Sequence, residues 1–182
     1  MNATLSQRRT RLARLHRQRG ASLLEAIAYL GVAAVVVLAA VSLLQNAFGS
    51  ARSNQTTEEL TGLRTAVRKM YSGQPYNDAA MLANMITAKA IPGTLTIAAD
   101  GKTINNTWGG TVTPASANAG TFTITYTQMP ADVCMNVVSG ATGWTKIADG
   151  ADANQITAFP AAAALAAKLC STDANTVAFT AD

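Results

Sequence analysis

The sequence predicts an α+β fold: one long N-terminal helix whose C-terminal half packs on a small antiparallel sheet flanked by short helices. Three observations carry that reading. No proline interrupts residues 21–74. Leu60, Leu63, Val67, Met70 and Tyr71 fall at i, i+3, i+7, i+10 and i+11, one face of a helix. Residues 121–128 alternate Thr with Phe122, Ile124 and Tyr126, the pattern of a strand with one core face and one polar face.

The chain begins with a basic segment. Its 182 residues suit one domain of ordinary size. The net charge is +4, but six of the 14 Lys/Arg (Arg8, Arg9, Arg11, Arg14, Arg17 and Arg19) precede Ala21. From Ala21 onward 14 − 6 = 8 cations face 10 acids, a balance of −2. The basic character thus belongs to residues 1–20, and the body shows no basic face for nucleic acid. No direct nucleic-acid binding is expected.

Residues 26–41 are apolar throughout, and Leu43 and Leu44 extend the run past Ser42. The 24 residues 21–44 exceed the ~20 needed to span a bilayer. The positive-inside rule keeps the arginines cytoplasmic and sends the body outward. A cleaved secretory signal has an apolar core of about 7–15 residues, and Glu25 would intrude on it. A plain signal anchor accounts for length and charge, but for neither Glu25 nor the glycine ahead of the span.

A third reading accounts for both. Arg19-Gly20-Ala21-Ser22-Leu23-Leu24-Glu25 resembles the class III signal of type IV pilins. The resemblance implies that a prepilin peptidase cuts between Gly20 and Ala21 and methylates the new N-terminus at Ala21. It makes Glu25 the fifth mature residue, the position of a glutamate in that family. The 20-residue leader and the Ala21 start are similar to type IVb pilins, notably the PilS-type subunits of conjugative thin pili; Ser22 stands where Thr is common. The implied function is the structural major subunit of a type IVb pilus serving conjugation or adhesion. It would be a single-pass inner-membrane precursor first and an extracellular fibre afterwards. The implied partners are identical subunits, the peptidase, and inner-membrane assembly machinery with its ATPase and an outer-membrane secretin. A carboxylate in lipid is penalised by about 2.5–3.5 kcal/mol or more. Glu25 is therefore expected to pair with the Ala21 amine, a neighbour's or its own, and so to set register in assembly.

The expected division is residues 1–20 as cleaved leader, 21–48 as the apolar half-helix, and 49–182 as the exported domain including the rest of the helix. One helix is expected over residues 21–71, ~77 Å long. Arg52, Asn54, Gln55, Glu58, Glu59, Arg64, Arg68 and Lys69 are expected on its solvated side. Many type IVa pilins carry a kinking proline in the first half, which this chain lacks.

Ser72-Gly73-Gln74-Pro75 ends that helix. Asn77 or Asp78 is expected to cap a second over residues 78–89, stopped by Ile91-Pro92-Gly93. Residues 94–97 read as a short strand and 99–102 as a turn. Trp108-Gly109-Gly110 resembles the Trp-Gly entry to the first sheet strand of pilins and pseudopilins; an ordinary glycine turn with a core tryptophan fits equally. Residues 108–113 and 121–128 are expected to form a hairpin across a Pro/Asn/Gly loop. Further expectations are a helix at 131–138 after Pro130, a strand at 144–147, an Ala-rich helix from Phe159-Pro160-Ala161 to Cys170, and a last strand at 176–180.

Two cysteines, Cys134 and Cys170, are far apart and near no histidine. In an exported chain they suggest one disulfide; in the cytosol, two reduced buried thiols. A bond would resemble the disulfide-bounded C-terminal region of type IV pilins. The only histidine is His16, in the leader, and no P-loop pattern occurs. No catalytic residue, metal site or cofactor is expected. Two other functions share these features: a minor pilin or pseudopilin of a secretion or competence system, and a membrane-anchored binding module.

Overall fold

A computed structural model of the protein describes residues 22–182. The leader, with His16 and Gly20, and Ala21 lie outside the described residues. Helix α1 runs Leu23–Met70. The chain divides into two compact units at Leu43/Leu44, and each is described by itself.

In the second unit the remainder of α1 buries its apolar stripe. Leu60, Leu63 and Val67 are at most 2% exposed, and burying each such side chain is worth about 1.5–3 kcal/mol. Tyr71 is buried too, and Met70 packs half-buried against the same core. One residue departs from expectation. Glu59 is only 4% exposed, although it was expected on the solvated side. It borders Leu60 on the helix, at the edge of the apolar stripe, and there meets the sheet.

That sheet has five strands in the order β3-β4-β7-β5-β6, all antiparallel. They are β3 (Val112–Asn118), β4 (Thr121–Met129), β5 (Lys146–Asp149), β6 (Gln155–Ile156) and β7 (Asn175–Ala181). Phe122, Ile124 and Tyr126 of β4 are fully buried, and Ile124 stands opposite Phe179 of β7. The final strand is therefore central rather than peripheral. A two-stranded hairpin of β1 (Thr96–Ile97) and β2 (Ile104–Asn105) lies beyond β3, linked by an Asn105–Thr111 bridge.

The β3/β4 hairpin forms as expected, but its loop is much shorter. Residues 114–118 belong to β3, with Pro114 opposite Ile124. Pro114 is tolerated because β3 is an edge strand of this sheet, where a missing N–H costs little. Residues 108–110 are a turn, not strand. Asn106 organises that turn: its Oδ1 accepts from the Trp108 and Gly110 N–H groups, and its Nδ2 donates to Thr127 O. A Cβ on Gly110 would lie 2.2 Å from Thr127 O, so only glycine admits this approach. Beside it, Gln128 adopts φ 58° and the β4/β7 register shifts between Tyr126 and Met129.

Three short helices flank the sheet: α2 (Met81–Thr87), α3 (Ala131–Ser139) and α4 (Ala163–Leu169). α2 starts later than expected and Asp78 does not cap it. The Asp78 carboxylate accepts instead from Ala80 N–H, the Tyr71 hydroxyl and Asn84 Nδ2. It thereby ties the end of α1 to α2. Trp144 lies before β5, not in it. Its ring packs on Phe179 at 5.3 Å, and the Arg64 guanidinium sits 5.0 Å above it.

Candidate functional site

The first unit carries the apolar half of α1. Every described residue from Ser22 to Leu44 is exposed within the chain, Leu23 at 82% and Leu38 at 71%. α1 is long and apolar enough near its start to cross a membrane, by length and composition. So many aliphatic side chains left bare in one chain need lipid or another surface to cover them.

The only acid in this stretch is Glu25. Ser22 precedes the helix, and its Oγ accepts from Glu25 N–H at 3.2 Å. Ser22 and Glu25 thus stand in the S-x-x-E spacing of a capping box, a short-range signal that sequence reading had passed over. The Tyr29 hydroxyl, one turn further on, donates to Glu25 Oε1 at 3.5 Å. Tyr29 is a second residue that reading missed; its i, i+4 spacing from Glu25 was the available clue. Gly20 and Ala21 lie outside the described residues.

Cys134 on α3 and Cys170 after α4 face one another at bonding distance, with Cα atoms 5.7 Å apart. That separation lies within the usual range for a disulfide. Asn175 closes the segment behind them. Its Nδ2 donates to Met129 O and Thr172 O, and its Oδ1 accepts from Thr172 N–H and Oγ.

Three other acids, Asp78, Asp100 and Asp149, organise turns through backbone N–H groups. The Asp149 carboxylate accepts from Asn154 Nδ2 and from the N–H groups of Ala151, Ala153 and Asn154, which holds it below the usual carboxylate range. Asp100 is lowered likewise, first by Lys102 N–H and then by Thr103. Asp78 is lowered chiefly by the Tyr71 hydroxyl. Among the described residues no group of three or more His, Cys, Asp or Glu is placed to hold a metal ion.

No curated protein matches the chain. A family model, described as PilS N terminal, matches residues 50–182. That segment is 182 − 49 = 133 of the 182 residues, well over half. It comprises the α1 stripe, the five-stranded sheet and the facing cysteines. The match and the α+β architecture together place it: the chain belongs to the PilS family of type IV pilins, structural subunits that polymerise into pili.

Proposed function

We propose that this pilin is the major subunit of a type IVb pilus of the conjugation or adhesion kind. It is made with residues 1–20 as a leader and held in the inner membrane by residues 21–48. The domain of residues 49–182 is exported. Prepilin peptidase cuts between Gly20 and Ala21 and methylates the Ala21 amine. Assembly machinery with its ATPase then extracts the subunit and passes the growing fibre through a secretin. Cys134 and Cys170 form a disulfide in the oxidising compartment.

The observation that supports this most directly is the bare apolar half of α1 with its lone Glu25. Identical helices gathered together cover one another's side chains. The Glu25 carboxylate finds a cation in the Ala21 amine of a neighbour, whose reference pKa is about 8 and which methylation leaves basic. Such a pair fixes register more than it adds net stability.

Intact mass of protein sheared from the cell surface tests the whole sequence of events. The expected mass is that of residues 21–182 plus one methyl group and minus two hydrogens. A chain still beginning at Met1, or its absence from the sheared fraction while it persists in the membrane, would refute the reading.

A further inference from the structure

Glu58 and Lys69 project from the face of α1 opposite the sheet, and both are exposed. They are 69 − 58 = 11 residues apart, which is three helical turns plus about 20° and ~16 Å of rise. Neither has a charged neighbour on the helix surface. Glu58 has Asn54, Gln55, Thr61 and Gly62 at three and four residues; Lys69 has Thr65, Ala66, Ser72 and Gly73. Among the described residues the ion pairs are Arg68–Asp182 and Lys146–Asp152, so Glu58, Lys69 and Lys89 enter none.

Lys69 also borders a shallow groove of about 480 Å³, lined by Ala66, Lys69, Met70, Ala88, Lys89 and Ala90. Two unpaired ammonium groups thus stand over an apolar floor of Ala66, Met70, Ala88 and Ala90. Alanines there allow another backbone to come close. The lysines call for an anion carried by whatever approaches.

We propose that this groove docks a second copy of this chain, whose Glu58 carboxylate lies between Lys69 and Lys89. The proposal rests on the fibre reading above. In a fibre built from parallel helices, copies displaced along the axis by ~16 Å bring Glu58 of one level with Lys69 of the other. The face of α1 turned away from its own sheet is the one free to meet a neighbouring helix. The two patches differ, so the contact is heterologous and continues into a filament instead of closing as a dimer. Charge complementarity of this kind sets register and excludes wrong neighbours.

The test uses the full chain in cells carrying the assembly system. Fibre sheared from the surface is compared with chain in the membrane fraction. Glu58→Lys and Lys69→Glu should each lower fibre roughly tenfold or more through like-charge contact, at unchanged membrane levels. The double variant E58K/K69E should recover most of it. Single variants with wild-type fibre levels would overturn the docking proposal and leave the fibre reading standing. So would a double variant no better than the singles. Absence of fibre from the unaltered chain would remove both.

Discussion

The Tyr126 hydroxyl on β4 donates to Glu59 Oε2 on α1 across 3.3 Å, joining helix and sheet 67 residues apart in sequence. Gln55 Nε2 donates to the other carboxyl oxygen at 2.9 Å. Tyr126 is fully buried, and its hydroxyl is pushed up far above the ordinary tyrosine range, first by burial and then by the Glu59 charge. A proton-donating phenol is thereby locked against the acid. Tyr126→Phe keeps the ring and removes that donor. Glu59 is then left buried with one partner fewer, at a cost of about 1.5–3 kcal/mol for a hydrogen bond to a charged group. Urea denaturation of the full chain in detergent, followed by Trp108 and Trp144 fluorescence, should show a lower midpoint with an unchanged slope. An unmoved midpoint would mean that the pair does not hold helix to sheet.

With the proposed Cys134–Cys170 bond formed, the C-terminal region is fastened twice, by that bond and by Asn175, which ties Thr172 to Met129 on the outer flanks of the two cysteines. Closing a loop with a sequence separation of 36 stabilises by about 3–4 kcal/mol in the chain-entropy model. Cys170→Ser should lose most of that. Asn175→Ala should cost about 2–3 kcal/mol, since Met129 O and the Thr172 groups lose their buried partner. Because both act on one region, the double variant should cost less than the sum. Strict additivity in the same denaturation experiment would show that the two fastenings are independent.

Acid should weaken the domain in a defined window. Asp78, Asp100 and Asp149 all have folded pKa values below their ordinary ones. A depressed carboxyl contributes stability that is complete above the unfolded value of about 3.9 and is lost as pH falls through the folded value. Stability should therefore be flat near neutrality and decline below about pH 4. Asp149→Asn removes the charge from the 149–154 turn and should make that decline shallower. Equal pH slopes for the variant and the parent, compared from pH 6 to 2, would contradict the role assigned to Asp149.

Local patterns in the sequence were enough for most elements. The spacing of Leu60, Leu63, Val67 and Tyr71 marked the buried face of α1, and the Thr/aromatic alternation marked β4, because both depend on one segment meeting one core. Features that depend on two segments stayed hidden. Glu59 reads as a surface acid until Tyr126 is placed opposite it. Pro114 reads as loop until β3 is known to be an edge strand. The short β6, Gln155–Ile156, carries no period of its own. At the candidate assembly site Glu25 was plain as a lone acid in an apolar run, whereas Tyr29 and the Ser22 cap needed the helix start fixed first.

Lys89 ends α2 in a left-handed conformation, φ 52°, where glycine is the usual occupant. The backbone demands it: Lys89 N–H donates to Ile86 O and Ala90 N–H to Met85 O, the pattern that reverses a helix end. A side chain with a Cβ costs about 1–2 kcal/mol in this conformation. Lys89→Gly should therefore stabilise the full chain by about 1 kcal/mol, after allowing for the greater freedom of glycine when unfolded. Lys89→Ala keeps the Cβ and so should give no comparable gain. Both variants remove the charge beside Lys69, and both should lower the yield of sheared fibre. Stability and assembly then move in opposite directions for glycine, while for alanine assembly alone falls. Parallel measurement of denaturation midpoint and fibre yield separates the two effects. If Lys89→Gly gained stability and assembled as well as the parent, the lysine would have no part in the contact between subunits.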